Sequence, residues 1–263
     1  MDPIVLVTLA AAFLGLLVGS FLNVVVWRVP RRESVVSPPS ACPQCGARIR
    51  ARDNVPVLSW LVLRGRCRDC GAPISRRYPL VEASTGAVFA LVMLRFWTDQ
   101  PWAVPAYLYL GAIAVALALI DLDVHRLPDA IVLPAYPVVA VLLAAASWGS
   151  GDWGSLLRAA IGAAALFAFY GLLWVVYPAG MGRGDVKLAG VVGGALAWLG
   201  WGSLVVGAFA AFLVGGLFAV TLVLLRRAGR KSGIPFGPWM ILGAAIGIGW
   251  GEALWSAYLG LML

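Results

Sequence analysis

Charge is what this 263-residue sequence has least of: 12% of its residues are Asp, Glu, Lys or Arg, while 62% are hydrophobic. Soluble domains carry about 25% charged residues, so there is too little polar surface to cover a water-soluble globule. Histidine is nearly missing. The single His125 leaves no H-E-x-x-H zinc-protease pair and argues against a Ser-His-Asp triad; it reads as a solvated interface residue. Cysteine is confined to four residues between positions 42 and 70. Neither an internal repeat nor a low-complexity linker is present. Disorder is excluded by 12 Trp, 10 Phe and 7 Tyr on an apolar background, a chain that must bury itself. The composition describes an all-α polytopic membrane protein.

The apolar runs give about eight transmembrane helices. Ile4 to Val26 is 23 residues without a charge, enough to cross about 30 Å of hydrocarbon. A signal peptide needs a basic region before a shorter run, whereas here Asp2 precedes and Arg28, Arg31 and Arg32 follow. Further spans are expected at Leu80 to Trp97, Trp102 to Ile120, Ala130 to Ser147 and Leu156 to Tyr177, separated by turn or charge signals. Leu188 to Leu225 holds 38 uncharged residues, too many for one crossing and suited to two short ones with a turn at Gly200 to Ser203. A last span runs from about Phe236 toward Leu259. The Gly-rich stretches Ala189 to Ala195 and Gly243 to Gly251 permit close helix contact.

The net charge of +8 sits in one place. Eleven Arg (28, 31, 32, 48, 50, 52, 64, 66, 68, 76 and 77) against Glu33, Asp53 and Asp69 make residues 27–79 strongly basic. Beside membrane spans such a run points to a cytoplasmic loop attracted to anionic lipid, not to nucleic acid. Threading from an outside N-terminus then puts this loop, His125 with Arg126, Arg183 with Lys187, and the Arg226, Arg227, Arg230, Lys231 patch all inside. The outer turns carry Asp99 and Asp152; Arg95 and Arg158, near outer span ends, can snorkel.

The four cysteines, Cys42-Pro43-Gln44-Cys45-Gly46 and Cys67-Arg68-Asp69-Cys70-Gly71, form two C-x2-C pairs 21 residues apart. A two-residue gap lets both thiolates of a pair reach one ion, and the following Gly permits the positive φ of a tight knuckle. Two pairs complete a tetrahedral four-thiolate site, favoured by zinc over iron. Disulfides are disfavoured in a reducing cytoplasm, and no thioredoxin-like pattern accompanies either pair. So short a loop has too little core to fold alone, and the ion would supply the folding energy.

Carboxylates at membrane depth are functional candidates. Asp121 ends the run Ala118-Leu119-Ile120, and Asp185 ends Gly180-Met181-Gly182-Arg183-Gly184-Asp185; threading puts both at the cytoplasmic boundary. Two carboxylates sharing one proton can hydrolyse a peptide, one activating water while the other protonates the carbonyl and later the leaving amine. Asp121 at a helix C-terminus is expected to be the protonated acid, and Asp185 at a helix N-terminus the ionised base. Asp123, two residues from Asp121, is the alternative partner on another face. Asp129 and Glu82 read as charges at helix N-termini. Gly180, Gly182 and Gly184 have no preceding soluble strand, so a dinucleotide loop is excluded.

Taken together these motifs resemble the prepilin peptidases, or type IV leader peptidases, membrane aspartic proteases of the GxGD type. The resemblance spans almost the whole chain. It is carried by Gly19-Ser20-Phe21-Leu22-Asn23 through Arg28-Val29-Pro30, the cysteine knuckles, Asp53-Asn54-Val55-Pro56 to Trp60, Arg64-Gly65-Arg66-Cys67, Pro73 to Glu82, Asp121 to Asp129 and Gly180 to Leu188. It implies cleavage, at the cytoplasmic face of a bacterial inner membrane, of the basic leader of pilins or secretion pseudopilins after a Gly. The catalytic pair would be Asp121 and Asp185. It also implies N-methylation of the new N-terminus from S-adenosylmethionine. The organisation expected is a first helix at 1–26, a cytoplasmic zinc-binding domain at 27–79 and a transmembrane protease core at 80–263. Because leader and loop are both basic, Glu82, Asp123 and Asp129 are expected to favour leaders rich in Lys and Arg.

Two other classes compete. A proton-coupled transporter also uses carboxylates near span ends, but would show broken helices and pseudo-symmetry. A membrane adaptor would use the zinc knuckle alone. Cleavage of a leader-bearing pilin separates all three.

Overall fold

The computed structural model describes residues 2–178, 180–225 and 235–262. They are helical, with isolated bridges in place of a sheet. The helices are α1 (Pro3–Arg28), α2 (Leu58–Val62), α3 (Arg77–Phe96), α4 (Val104–Val124), α5 (Asp129–Ser150), α6 (Trp153–Val176), α7 (Arg183–Leu199), α8 (Trp201–Leu224) and α9 (Gly237–Met262). Among the described residues, seven helices are long and apolar enough to cross a membrane, namely α1, α3, α4, α5, α6, α8 and α9. At 17 residues α7 is the short one, about 25 Å long. With it the count of long helices reaches the eight expected. The second pair within the 38-residue apolar run breaks at Gly200, an extended residue between α7 and α8. The Arg226 to Lys231 patch lies outside the described residues.

The chain divides into two compact units, Met1–Ala116 and Leu117–Leu263, with the boundary inside α4. In the first unit α1 packs on α3. Contact is close because a side chain at Gly15 would meet the Thr85 carbonyl oxygen at 2.7 Å, and one at Gly19 the Glu82 Cα at 2.7 Å. Between these helices lies the cysteine-bearing insertion, whose two knuckles repeat one pattern. The N–H of Cys42 donates to the Ala47 carbonyl at 2.9 Å and that of Cys67 to Ala72 at 2.8 Å, while Gly46 and Gly71 take φ values of +71° and +72°. The glycines are what allow that turn. Trp60 closes the insertion, its indole N–H donating to the Ile74 carbonyl at 3.1 Å.

In the second unit α7 is the central helix, packed by α5, α6, α8 and α9. From Asp185 to Trp198 nearly every residue is buried. Small residues make this enclosure feasible, as in other membrane helix pairs. A side chain at Gly193 would meet the Gly162 carbonyl oxygen of α6 at 2.5 Å. The pair α8 and α9 is joined likewise, Gly243, Gly247 and Gly251 lying against Gly207 and Ser203. Arg158 on α6 tops the C-terminal end of α7, donating to the Ala197 and Trp198 carbonyls at 2.6 and 2.8 Å. These are helix-end acceptors that would otherwise lack partners.

Candidate active site and four-cysteine centre

Asp121 lies in the last turn of α4 and is 4% exposed. The helix ends just after it: His125 takes φ +51° and donates its N–H to the Asp121 carbonyl at 2.9 Å, a left-handed stop. Burial separates Asp121 from its alternative, because Asp123 is exposed. The Asp121 carboxylate does not face solvent at that helix end. Its Oδ2 accepts the N–H of Gly237, the first residue of α9, at 3.0 Å.

Asp185 occupies the first turn of α7, buried at 7% exposure. Its Oδ2 accepts the N–H of Gly182, the residue that caps the helix, at 3.0 Å. Each carboxylate thus spends one oxygen on the amide of a glycine at a helix start, an orphan donor of the kind that every helix N-terminus offers. The dipole contrast expected from sequence is therefore removed. Asp121 sits at the C-terminus of its own helix but against the N-terminus of another, so both aspartates lie in favourable helix fields.

The two side chains belong to one neighbourhood. They are near enough for the charge of Asp121 to act on Asp185, and Leu127 sits beside both Gly184, which precedes Asp185, and Gly237, which holds Asp121. A side chain at Gly184 would meet Leu127 Cβ at 2.8 Å, and one at Gly237 would meet Leu127 Cδ2 at 3.3 Å and Asp121 Oδ2 at 2.7 Å. Tyr170, Phe212 and Phe236 form an aromatic wall, with ring centroids 5.1–6.1 Å apart. Tyr170 is also within reach of the Asp185 charge.

The other acidic groups are engaged. Asp129 accepts from Lys187 Nζ at 2.7 and 2.8 Å, while Tyr136 donates to the Lys187 carbonyl at 2.6 Å. Glu82 is buried and accepts the Val57 N–H at 2.6 Å. It holds the insertion to α3 instead of marking a helix start. Asp129 and Glu82 therefore have partners within the chain. Gly237 was missed by sequence reasoning. Its signal, a Gly-Pro pair opening a helix, identifies a helix start without naming what the amide holds.

In the insertion, the Sγ atoms of Cys42, Cys45, Cys67 and Cys70 all lie within 4.8 Å of one another. Cys42 Sγ and Cys70 Sγ are 3.8 Å apart, and a tetrahedron with metal–sulfur bonds of about 2.3 Å has edges of about 3.8 Å. Four thiols drawn from two identical turns thus fit one ion. The backbone amides of Cys45 and Gln44 beside Cys42 lower its thiol to about 7, whereas Cys70, despite the Ala72 amide, is pushed up to about 12 by burial and by the other three thiols; a bound cation is what would hold all four as thiolates. Around the cluster, Arg68 binds Asp53 at 2.8 and 3.0 Å and Arg50 binds Asp69 at 3.1 Å. The Arg68 guanidinium holds the Asp53 carboxyl below its ordinary range.

Residues 13–96 match the bacterial Peptidase A24 N-terminal domain, and residues 108–220 match the type IV leader peptidase family. The chain belongs to the type IV leader peptidase family. It is 37% identical to the prepilin leader peptidase/N-methyltransferase of Aeromonas salmonicida, over 95% of this chain and 92% of that relative. It is 39% identical to the protein of the same name from Aeromonas hydrophila, over 93% and 91%. The Pseudomonas putida relative, also of that name, is 37% identical over 100% and 96%. No solved structure matches the chain. Membership in the leader peptidase family and the apolar helices together make this a multi-pass inner-membrane protease.

Proposed function

We propose that this chain removes the leader of prepilins or pseudopilins and N-methylates the new terminus, with Asp121 and Asp185 as the hydrolytic pair. The observation that carries the assignment is their shared setting. Two buried carboxylates on different helices come together, each anchored through one oxygen by a glycine amide. In this reading the second oxygen of each carboxylate holds the attacking water.

In this reading the pair carries one proton. The ionised member takes a proton from the water as its oxygen attacks the scissile carbonyl carbon, and the protonated member gives its proton to the carbonyl oxygen. The tetrahedral species then collapses. The carbon–nitrogen bond breaks as the proton gained by the first carboxyl passes to the departing amine and a hydroxyl proton of the tetrahedral species returns to the second carboxylate, so that the pair again carries one proton. Burial keeps bulk water from competing with the one held in place, and the glycine amides keep both carboxyls aimed without demanding a change of shape during reaction. The amine released is the group to be methylated, with S-adenosylmethionine as the methyl donor.

The four-cysteine centre is assigned to zinc, held by Cys42, Cys45, Cys67 and Cys70. Zinc there supplies folding energy and not chemistry, since four protein ligands leave no open position. The N-terminus lies outside and the insertion in the cytoplasm, where its arginines meet anionic lipid. Residues 27–79 act as the zinc domain and 80–263 as the protease core.

The test is direct. The purified protein in lipid nanodiscs is mixed with a leader-bearing prepilin and S-adenosylmethionine, and the product is weighed by mass spectrometry. A shortened product with one added methyl group supports the reading. An intact substrate, with proton flux measured instead in sealed vesicles, would support a transporter.

A further inference from the structure

The short helix α2 is turned inside out. Its polar residue, Ser59, faces inward, where its Oγ accepts the Val55 N–H at 2.9 Å and donates to the Arg52 carbonyl at 3.1 Å. Its apolar residues face outward: Leu58, Leu61 and Val62 are 57%, 58% and 67% exposed. Their spacing of three and four places them on one helical face. In a segment standing wholly in water that polarity would be unfavourable, because exposed apolar clusters mark contact with an apolar partner.

Two further observations say which partner. The first is depth. Val57, immediately before α2, is bound through its N–H to Glu82, five residues into α3 and so about 7.5 Å along that helix. The tether draws α2 down beside the first turns of a membrane-spanning helix. The same level carries other interface residues, with Tyr78 and Leu80 exposed at the start of α3. At the end of α1, Arg31 stacks 3.6 Å over the exposed Trp27 ring. Aromatic and basic residues of this kind gather at the headgroup level. The second observation is charge. Arg52, Arg64 and Arg66 are exposed around α2, and no carboxylate among the described residues pairs with Arg64 or Arg66. An apolar face rimmed by unpaired arginines complements a lipid surface that is apolar below and anionic at its headgroups.

We propose that Leu58, Leu61 and Val62 insert at the headgroup–acyl boundary of an anionic bilayer. The four-cysteine insertion thereby lies against the membrane surface instead of standing off it. Glu82 sets its depth and the arginines select anionic lipid.

The experiment uses the full-length protein in nanodiscs of phosphatidylethanolamine and phosphatidylglycerol, with a benzophenone amino acid placed at Leu61 or, as control, at the exposed Gln44. Light should give lipid adducts at position 61 and not at 44. Replacing phosphatidylglycerol with phosphatidylcholine should lower the yield several-fold, as should Arg52→Gln with Arg64→Gln. The double variant Leu58→Asp, Leu61→Asp should raise amide exchange over residues 55–63 several-fold with bound metal unchanged, so that loss of the fold is recognised separately. Absence of a lipid adduct at 61, or equal adducts at 44, overturns the proposal. So does cross-linking of position 61 to an added prepilin in preference to lipid, which would assign the face to substrate. Equal yield in both lipid mixtures overturns the anionic preference.

Discussion

The cysteine insertion and the helical unit from Leu117 onward solve opposite problems with the same residue. In the insertion, Gly46 and Gly71 serve backbone shape: each follows a C-x2-C pair and adopts the positive φ that closes a knuckle. In the helical unit, Gly162, Gly193, Gly207 and Gly243 serve distance, bringing helix backbones nearer than any side chain allows. The insertion is a local structure built around four clustered thiols that could hold one ion. The helical unit is a distributed structure in which the helix carrying Asp185 is gripped from all sides. The first would be undone by removing its thiols, the second only by repacking.

The contrast is broken most completely by removing sulfur. Cys42→Ser with Cys67→Ser should abolish metal binding. It should also forfeit the folding energy of the insertion, on the order of 10 kcal/mol for four-ligand zinc sites. Hydrogen exchange over residues 40–75 should then run near the unfolded rate while residues 185–198 stay protected. Next in size is Gly193→Val, which drives a side chain into the Gly162 carbonyl and Leu166. Overpacking of this kind costs about 3 kcal/mol, read as a lower melting temperature in detergent with metal content intact. Gly237→Ala sharpens the comparison at the site itself. The added methyl lands 2.7 Å from Asp121 Oδ2 and should lower kcat about 100-fold, the scale of a 1 Å misplacement, with little change in KM.

The smallest effect belongs to Asp152, whose carboxylate accepts from the Ser155 hydroxyl and from the Ser155 N–H at 3.1 Å to cap α6. Asp152→Ala should cost about 1 kcal/mol. These bonds from Ser155 hold the Asp152 carboxyl below its ordinary value. The stabilisation is complete above about pH 3.9, the unfolded value, and fades as pH falls through the lower folded one. The melting difference between wild type and Asp152→Ala should therefore shrink only in strong acid.

Much of this was legible in the sequence because it is written locally. Apolar runs announce their spans, Gly200 announces the break between α7 and α8, and C-x2-C spacing announces one cluster of four thiols. What escaped depends on partners far along the chain. Asp121 and Asp123 are indistinguishable until burial separates them. Gly237 opens α9, 116 residues beyond the aspartate it holds, and no pattern of residues between them encodes that bond. Glu82 looked like a helix-start charge because sequence cannot show that the Val57 amide comes back to meet it. The dipole argument for which aspartate is acid and which is base loses its premise for the same reason: the field at a side chain comes from every helix end near it, not only its own.

The central claim is that Asp121 and Asp185 act as one unit on one water. Its most direct measurement is the single-turnover rate of prepilin cleavage in nanodiscs for Asp121→Asn, Asp185→Asn, the double variant and Asp123→Asn, each checked for intact metal. Each catalytic single variant should lose roughly 1,000-fold or more, the double variant should be no worse than either, and Asp123→Asn should cut at close to the wild-type rate. Substantial cleavage by either catalytic single variant, or its loss in Asp123→Asn alone, would contradict the account.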